Sequence, residues 1–169
     1  MTSEWVGIDG FTNQPLIKTG VYEAYSPVSR NAIVVPWWEI SPASAHAITS
    51  MSVRTGDNMS AQARQVRGQT WQISLIDNTT RQRFDLTTGY AGPGTSAEWV
   101  VEAPTINRAV LRLGVYSPPV AFSGLATTGA GARVDEVVMV QRGSVVSTPS
   151  PLDPNGFAVA YGPAAPPAP

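Results

Sequence analysis

Ala97-Glu98-Trp99-Val100-Val101-Glu102-Ala103-Pro104 alternates with a period of two, and the reading of the fold turns on this stretch. Successive side chains of a strand point to opposite faces, so Ala97, Trp99 and Val101 share one face while Glu98, Val100 and Glu102 share the other. A Trp and a Val on one side describe a core strand. Two carboxylates beside a Val on the other side describe either a solvated face or a chemical one. Glu98 and Glu102 stand four residues apart, roughly 13 Å between Cα atoms at about 3.3 Å per residue, too far to share a proton directly.

The same period recurs on both sides of this stretch. Glu4 to Gly10 reads as a strand entering a turn at Asp9-Gly10. Gln14 to Tyr25 reads as a second strand with Leu16, Lys18, Gly20 and Tyr22 on one face and Ile17, Thr19 and Val21 on the other. Ile33 to Pro42 is a third, pointing Trp37 and Glu39 one way and Trp38 and Ile40 the other. Ile48–Val53 is expected to form a hairpin with Met59–Arg64 through a Thr-Gly-Asp turn, and Trp71–Leu75 another with Arg81–Leu86 through Asp77-Asn78-Thr79-Thr80. Further strands are expected at Val110–Val115, Val120–Phe122, Val134–Gln141, Val145-Val146 and Phe157–Tyr161, and Gly124–Gly131 reads as a flexible loop. About ten short strands with a turn signal every 8–12 residues predict two packed antiparallel sheets, an all-β sandwich.

Composition agrees. Charged residues make up only 14% of the chain and 15 Pro with 15 Gly cut it into short pieces, which leaves no room for a sustained helical pattern. At 169 residues the chain is expected to be one domain over residues 1–162, followed by a disordered, polyproline-like tail at 163–169. Eleven basic residues against twelve acidic ones, with no Lys/Arg run, argue against nucleic acid or an anionic membrane as partner. No stretch has the length of a membrane span.

His46 is the sole histidine and there is no cysteine, so no metal site or cofactor is expected, and a Ser/His/Asp triad would have to use that one imidazole. No strand-turn-helix setting surrounds the Gly-rich pieces, which excludes a phosphate loop. Paired carboxylates remain, and periodicity alone leaves them between chemistry and solvation.

Taken in order, Trp5-Val6-Gly7-Ile8-Asp9-Gly10, Leu16-Ile17-Lys18-Thr19-Gly20, Trp37-Trp38-Glu39, Gly56-Asp57 and Ala97 to Glu102 resemble the glutamic peptidases, or eqolisins, as does the late Ser-Pro-Leu-Asp-Pro-Asn-Gly-Phe run. The resemblance implies a lectin-like, jelly-roll sandwich of two bent antiparallel sheets with a peptide groove on its concave face. It implies a Glu/Gln pair in which the carboxylate activates water and the amide stabilises the oxyanion. Glu102 matches the family Glu, and Lys18 stands at the family Gln. Trp5, Asp9, Trp37, Glu39 and Glu98 would then line the groove as substrate-binding residues. An ammonium donates hydrogen bonds but cannot accept one, and a cation within ~4–6 Å typically lowers a carboxyl pKa by 1–3 units. Lys18 would then either donate to the oxyanion beside Glu102 or form an ion pair with Glu102 that silences the site.

Two functions follow as expectations. One is an acid endopeptidase with Glu102 as general base and Lys18 as oxyanion donor. The other is a catalytically inactive sandwich binding peptide or glycan in an aromatic groove. Family members are secreted and carry a further N-terminal segment, so an extracellular setting is expected, together with a longer start or lost edge strands that a dimer would cover.

Overall fold

The computed structural model of the chain describes residues 1–106, 109–128 and 133–169. The described residues form fourteen strands and no helix, and successive strands such as β1–β2, β2–β3 and β6–β7 pair antiparallel. The chain is an all-β sandwich. Its contacts group into two compact units, Met1–Val100 and Val101–Pro169.

In the first unit, β1 (Thr2–Asp9), β2 (Leu16–Ser26), β3 (Asn31–Ser41) and the two-residue β4 (His46–Ala47) build a sheet in the order β4-β3-β2-β1, and β8 (Ala97–Glu102) lies next to β1. A second sheet runs β5 (Met59–Arg67), β6 (Thr70–Asp77), β7 (Gln82–Gly89). β1 and β2 pack on β5, and β2 also packs on β6. Period-two alternation supplies the layer between them. Ile17, Trp71, Ile73 and Tyr90 are buried together with Ile8, Trp38, Ile40 and Leu86 against them. Ile48, Met51, Val53 and Leu75 form a neighbouring cluster with Val21, Val34, Met59 and Phe84. Ile17, Ile73 and Leu75 are almost wholly buried, and each such side chain contributes roughly 1.5–3 kcal/mol.

The hairpin expected through Asp77 forms as read, Asp77 facing Gln82 across the turn. Its chemistry is an Asx turn: the Asp77 carboxylate accepts from the amides of Thr79 and Thr80 at 2.9 and 3.1 Å and from the Thr80 hydroxyl at 2.6 Å.

The other hairpin does not form. β5 pairs with β6, and Ile48–Val53 is irregular. Ile48, Met51 and Val53 all point inward, a spacing of three and then two that no flat strand provides. The backbone of Ser52 is instead satisfied by the Gln82 amide, which accepts from its N–H at 2.9 Å and donates to its carbonyl at 3.1 Å.

In the second unit β9 (Thr105–Ile106) pairs with β10 (Ala109–Val110), and a four-stranded sheet runs β11 (Val120–Ser123), β14 (Gly156–Tyr161), β13 (Ser144–Pro149), β12 (Met139–Gln141). The strand expected over Val110–Val115 stops at Val110, because the Gln141 amide takes the place of a strand neighbour by bonding the Leu111 carbonyl and the Leu113 N–H. Residues 134–138 of the expected Val134–Gln141 strand are likewise irregular. Of the Gly124–Gly131 loop, residues 129–131 lie outside the described residues. Pro166 and Ala168 of the terminal Pro/Ala run are half-buried, and Asn155 donates to the Pro169 carbonyl at 3.4 Å.

Candidate active site

Register places the site. On β2, Lys18 stands opposite Gly7 of β1 and Glu39 of β3, while Gly20 stands opposite Trp5 and Trp37. Alternation puts Ile17, Thr19 and Val21 toward the sandwich core, so Lys18, Gly20 and Tyr22 share the other face with Trp5, Trp37 and Glu39. Gly20 makes the arrangement fit. A Cβ there would meet the Glu4 carbonyl oxygen at 1.9 Å and Trp5 Cα at 2.7 Å, so any side chain would push β1 away.

Lys18 Nζ lies 3.7 Å from Glu39 Oε2, 4.8 Å from the centroid of the Trp5 ring and 5.3 Å from that of Trp37. The Glu39 carboxylate and two indole faces thus help to hold the ammonium, each cation–π contact worth roughly 0.5–2 kcal/mol where solvent is partly excluded. Tyr22 stacks on Trp37 at 4.7 Å and 12°. Glu39 is fixed in turn by the Ser41 hydroxyl, which donates to Oε1 at 2.8 Å. Trp37 is buried and its indole N–H finds no acceptor among the described residues. The ion pair with Glu39 is a contact of Lys18 that the sequence reading did not name.

Asp9 does something else. It is fully buried at the end of β1 in the left-handed region at φ 67°, and its carboxylate accepts from Tyr90 Oη at 2.7 Å, the Gly94 amide at 2.9 Å, the Thr95 amide at 2.8 Å and Asn13 Nδ2 at 3.1 Å. Burial alone would raise its pKa, but the Thr95 amide, the Tyr90 hydroxyl and the Gly94 amide together outweigh it and hold the carboxyl below its ordinary value. Tyr90 is pushed the other way, first by burial and then by donating to Asp9. Gly92 lets the loop close over this pair, since a Cβ there would fall 2.1 Å from Tyr90 Oη. Asp9, expected among the substrate-binding residues, therefore has both oxygens occupied inside the protein.

Glu98 belongs to the same end of the sheet, accepting from Ser96 Oγ at 3.4 Å and adding its charge to the field that raises Tyr90. Glu102 closes β8, half-buried between buried Val101 and Ala103, and falls in the second unit. Of the residues expected at the site, the first unit brings Trp5, Lys18, Trp37 and Glu39 together, while the Asp9 carboxylate is engaged by Tyr90, Gly94 and Thr95. Tyr22, four positions along β2 from Lys18, and Ser41, two positions along β3 from Glu39, were legible as same-face neighbours. Tyr90 carried no local signal.

Comparison with known proteins agrees with the all-β fold. The peptidase A4 family model matches residues 1–161. The crystal structure of aspergilloglutamic peptidase from Aspergillus niger is similar over 95% of this chain and 98% of its own, with a TM-score of 0.81 and 25% identity. Scytalido-glutamic peptidase with a transition state analog inhibitor is similar over 95% of this chain and 82% of its own, with a TM-score of 0.79 and 19% identity. SCP-B, an eqolisin solved in complex with the tripeptide Ala-Ile-His, is similar over the same shares with a TM-score of 0.69 and 19% identity. A search of curated protein sequences returned no match.

Proposed function

The chain belongs to the peptidase A4 family, and from that premise we propose that it is a glutamic-type endopeptidase in which Glu102 is the general base and Lys18 the oxyanion donor. A polypeptide is the substrate class that membership implies. In this reading the Glu102 carboxylate removes a proton from water as the water attacks the scissile carbonyl, and an N–H of the Lys18 ammonium stabilises the developing oxyanion. A single donor of that kind is typically worth about 10²–10³ in rate. Trp5 and Trp37 wall the extended peptide beside Lys18, Glu39 and Glu98 contribute acidic contacts, and Asp9 positions the loop that precedes β8. Secretion of the chain belongs to the same proposal.

The observation that carries the reading is the placing of Lys18 at the register position between Trp5, Trp37 and Glu39, on a fold similar to aspergilloglutamic peptidase over nearly all of both chains. Incubation with unfolded casein from about pH 3 to pH 7, beside Glu102→Ala, tests it. Cleavage abolished by the substitution is expected, and equal cleavage by both proteins would overturn the assignment.

The Lys18–Glu39 pair favours one second reading, a non-catalytic module that holds peptide or glycan without turnover. The Glu39 carboxylate competes with a developing oxyanion for the Lys18 ammonium, a competition that a neutral amide would feel less. Acid proteolysis gained by Lys18→Gln would support a lost activity and this second reading with it.

A further inference from the structure

We propose that the open edge of β12, with the extended residues that lead into it, pairs antiparallel with the same edge of a second copy of this chain about a two-fold axis at Met139. The pairing lies within the second unit and does not rest on the activity proposed above.

Val134 to Gln141 holds four valines and reads as one strand, yet β12 takes only the last three of its residues and ends the order β11-β14-β13-β12. Arg142-Gly143 is a two-residue turn with φ of 52° and 79°, so Gln141 faces Ser144 across it and directs its N–H and C=O into the β12–β13 ladder. Those of Val140, and of Val138 two residues before it, point to the open side. Among the described residues no backbone–backbone hydrogen bond outside that ladder reaches residues 134–140. Val134, Val137, Val138 and Val140 are 61, 62, 43 and 55% exposed. One exposed valine is ordinary, but an uncharged run of them on an open edge is a template for another strand. Edges elsewhere are blunted: β5 carries Arg64 and Arg67, β7 carries Arg83 and Asp85, and β11 follows Pro118-Pro119 and exposes only Ala121 and Ser123.

A second copy is the occupant because the stretch is its own complement. With Met139 on the axis, Val138 stands opposite Val140 and Glu136 opposite Arg142, each pair occurring twice, and all four positions are an even number of residues apart and so share one face. Glu136 and Arg142 are both exposed. Gln141 falls on the other face, where its amide bonds the Leu111 carbonyl and the Leu113 N–H of its own unit. Asp135 is held by Arg133 at 2.8 Å. Centring the pairing on Val138 instead would set Glu136 opposite Val140 and Arg142 opposite Val134, matching neither charge.

Sedimentation equilibrium of the full chain over a concentration series tests the pairing, with circular dichroism of each variant to check its sheet content. The wild type is expected to dimerise and Val138→Lys to stay monomeric. Glu136→Arg or Arg142→Glu alone should weaken the dimer about tenfold, and the two together should restore it. Because the chain has no cysteine, a single introduced thiol can cross-link only two copies. Met139→Cys should give a disulfide-linked dimer under mild oxidant, since residues on the axis face one another, whereas Val138→Cys, roughly 8 Å from its counterpart, should not. A wild type that is monomeric across the series, a dimer untouched by Val138→Lys, or a double charge reversal no better than the single ones would overturn the proposal.

Discussion

Replacement of Glu4 by Gln should remove a contribution to stability that is present in acid and lost towards neutral pH. Glu4 stands on β1 opposite Val21, which turns its carboxyl toward the layer between the two sheets of the first unit, on the same side as Ile17 and Val21. Burial is the main cause that raises its pKa from 4.5 to about 7; the Thr2 side chain opposes the shift by hydrogen bonding, and the Glu23 carboxylate, diagonal to it on β2, adds to it. A raised carboxyl pKa means that the folded chain binds the proton more tightly than the unfolded one. The resulting stability is present in full below about pH 4.5 and is lost as the pH rises through about 7. The interval of 2.5 units between those two values corresponds to about 3 kcal/mol at most. Urea unfolding followed by Trp fluorescence at intervals from about pH 4 to pH 8 measures it. The difference in unfolding free energy between wild type and Glu4→Gln should shift by up to about 3 kcal/mol in favour of the variant across that range. Carboxyls common to both proteins cancel in the difference. Glu23→Gln should shrink the effect by removing the second charge. A difference that does not vary with pH would refute the reasoning.

Three further outcomes are expected. Gly20→Ala should destabilise by about 3 kcal/mol or more, since its Cβ has no space against β1, whereas an unhindered strand position would gain from losing a glycine; denaturation midpoints decide between the two. Asp9→Ala should cost about 2–4 kcal/mol at neutral pH by orphaning the Tyr90 hydroxyl and the Gly94 and Thr95 amides. Because the Asp9 pKa is lowered, that contribution is present above its unfolded value and fades as the pH falls through the folded one, so urea titrations of the two proteins should converge in strong acid. The Tyr90 phenol should titrate above its ordinary value of 10 in a spectrophotometric titration of the wild type, and return toward it in Asp9→Asn.

Legibility differed between elements for identifiable reasons. Strands whose apolar residues alternate strictly, such as Trp71–Leu75, were placed correctly, because one face of each is buried by a single neighbouring layer. Ile48–Val53 misled because its apolar residues look like a strand while their burial depends on a bend, and the Gln82 side chain that satisfies its backbone lies thirty residues away. Leu111–Val115 misled in the same way, through Gln141. Side-chain amides that replace a strand neighbour leave no mark in local periodicity.

Sequence by itself determined that the chain is all-β, that Lys18 shares a strand face with Gly20 and Tyr22, and that Trp37 shares one with Glu39. It also ordered these pieces into a family pattern with a lysine at the Gln position. Those conclusions rest on two-residue alternation and on motif order, both of which are local. Tertiary structure alone decided which of the two faces enters the core, that Lys18 meets Glu39 across β2 and β3, and that Asp9 is a buried lock on the loop preceding β8. Each of those depends on strand register and on closure of contacts between residues far apart in the chain, and a shift of one residue in pairing would have reversed every face.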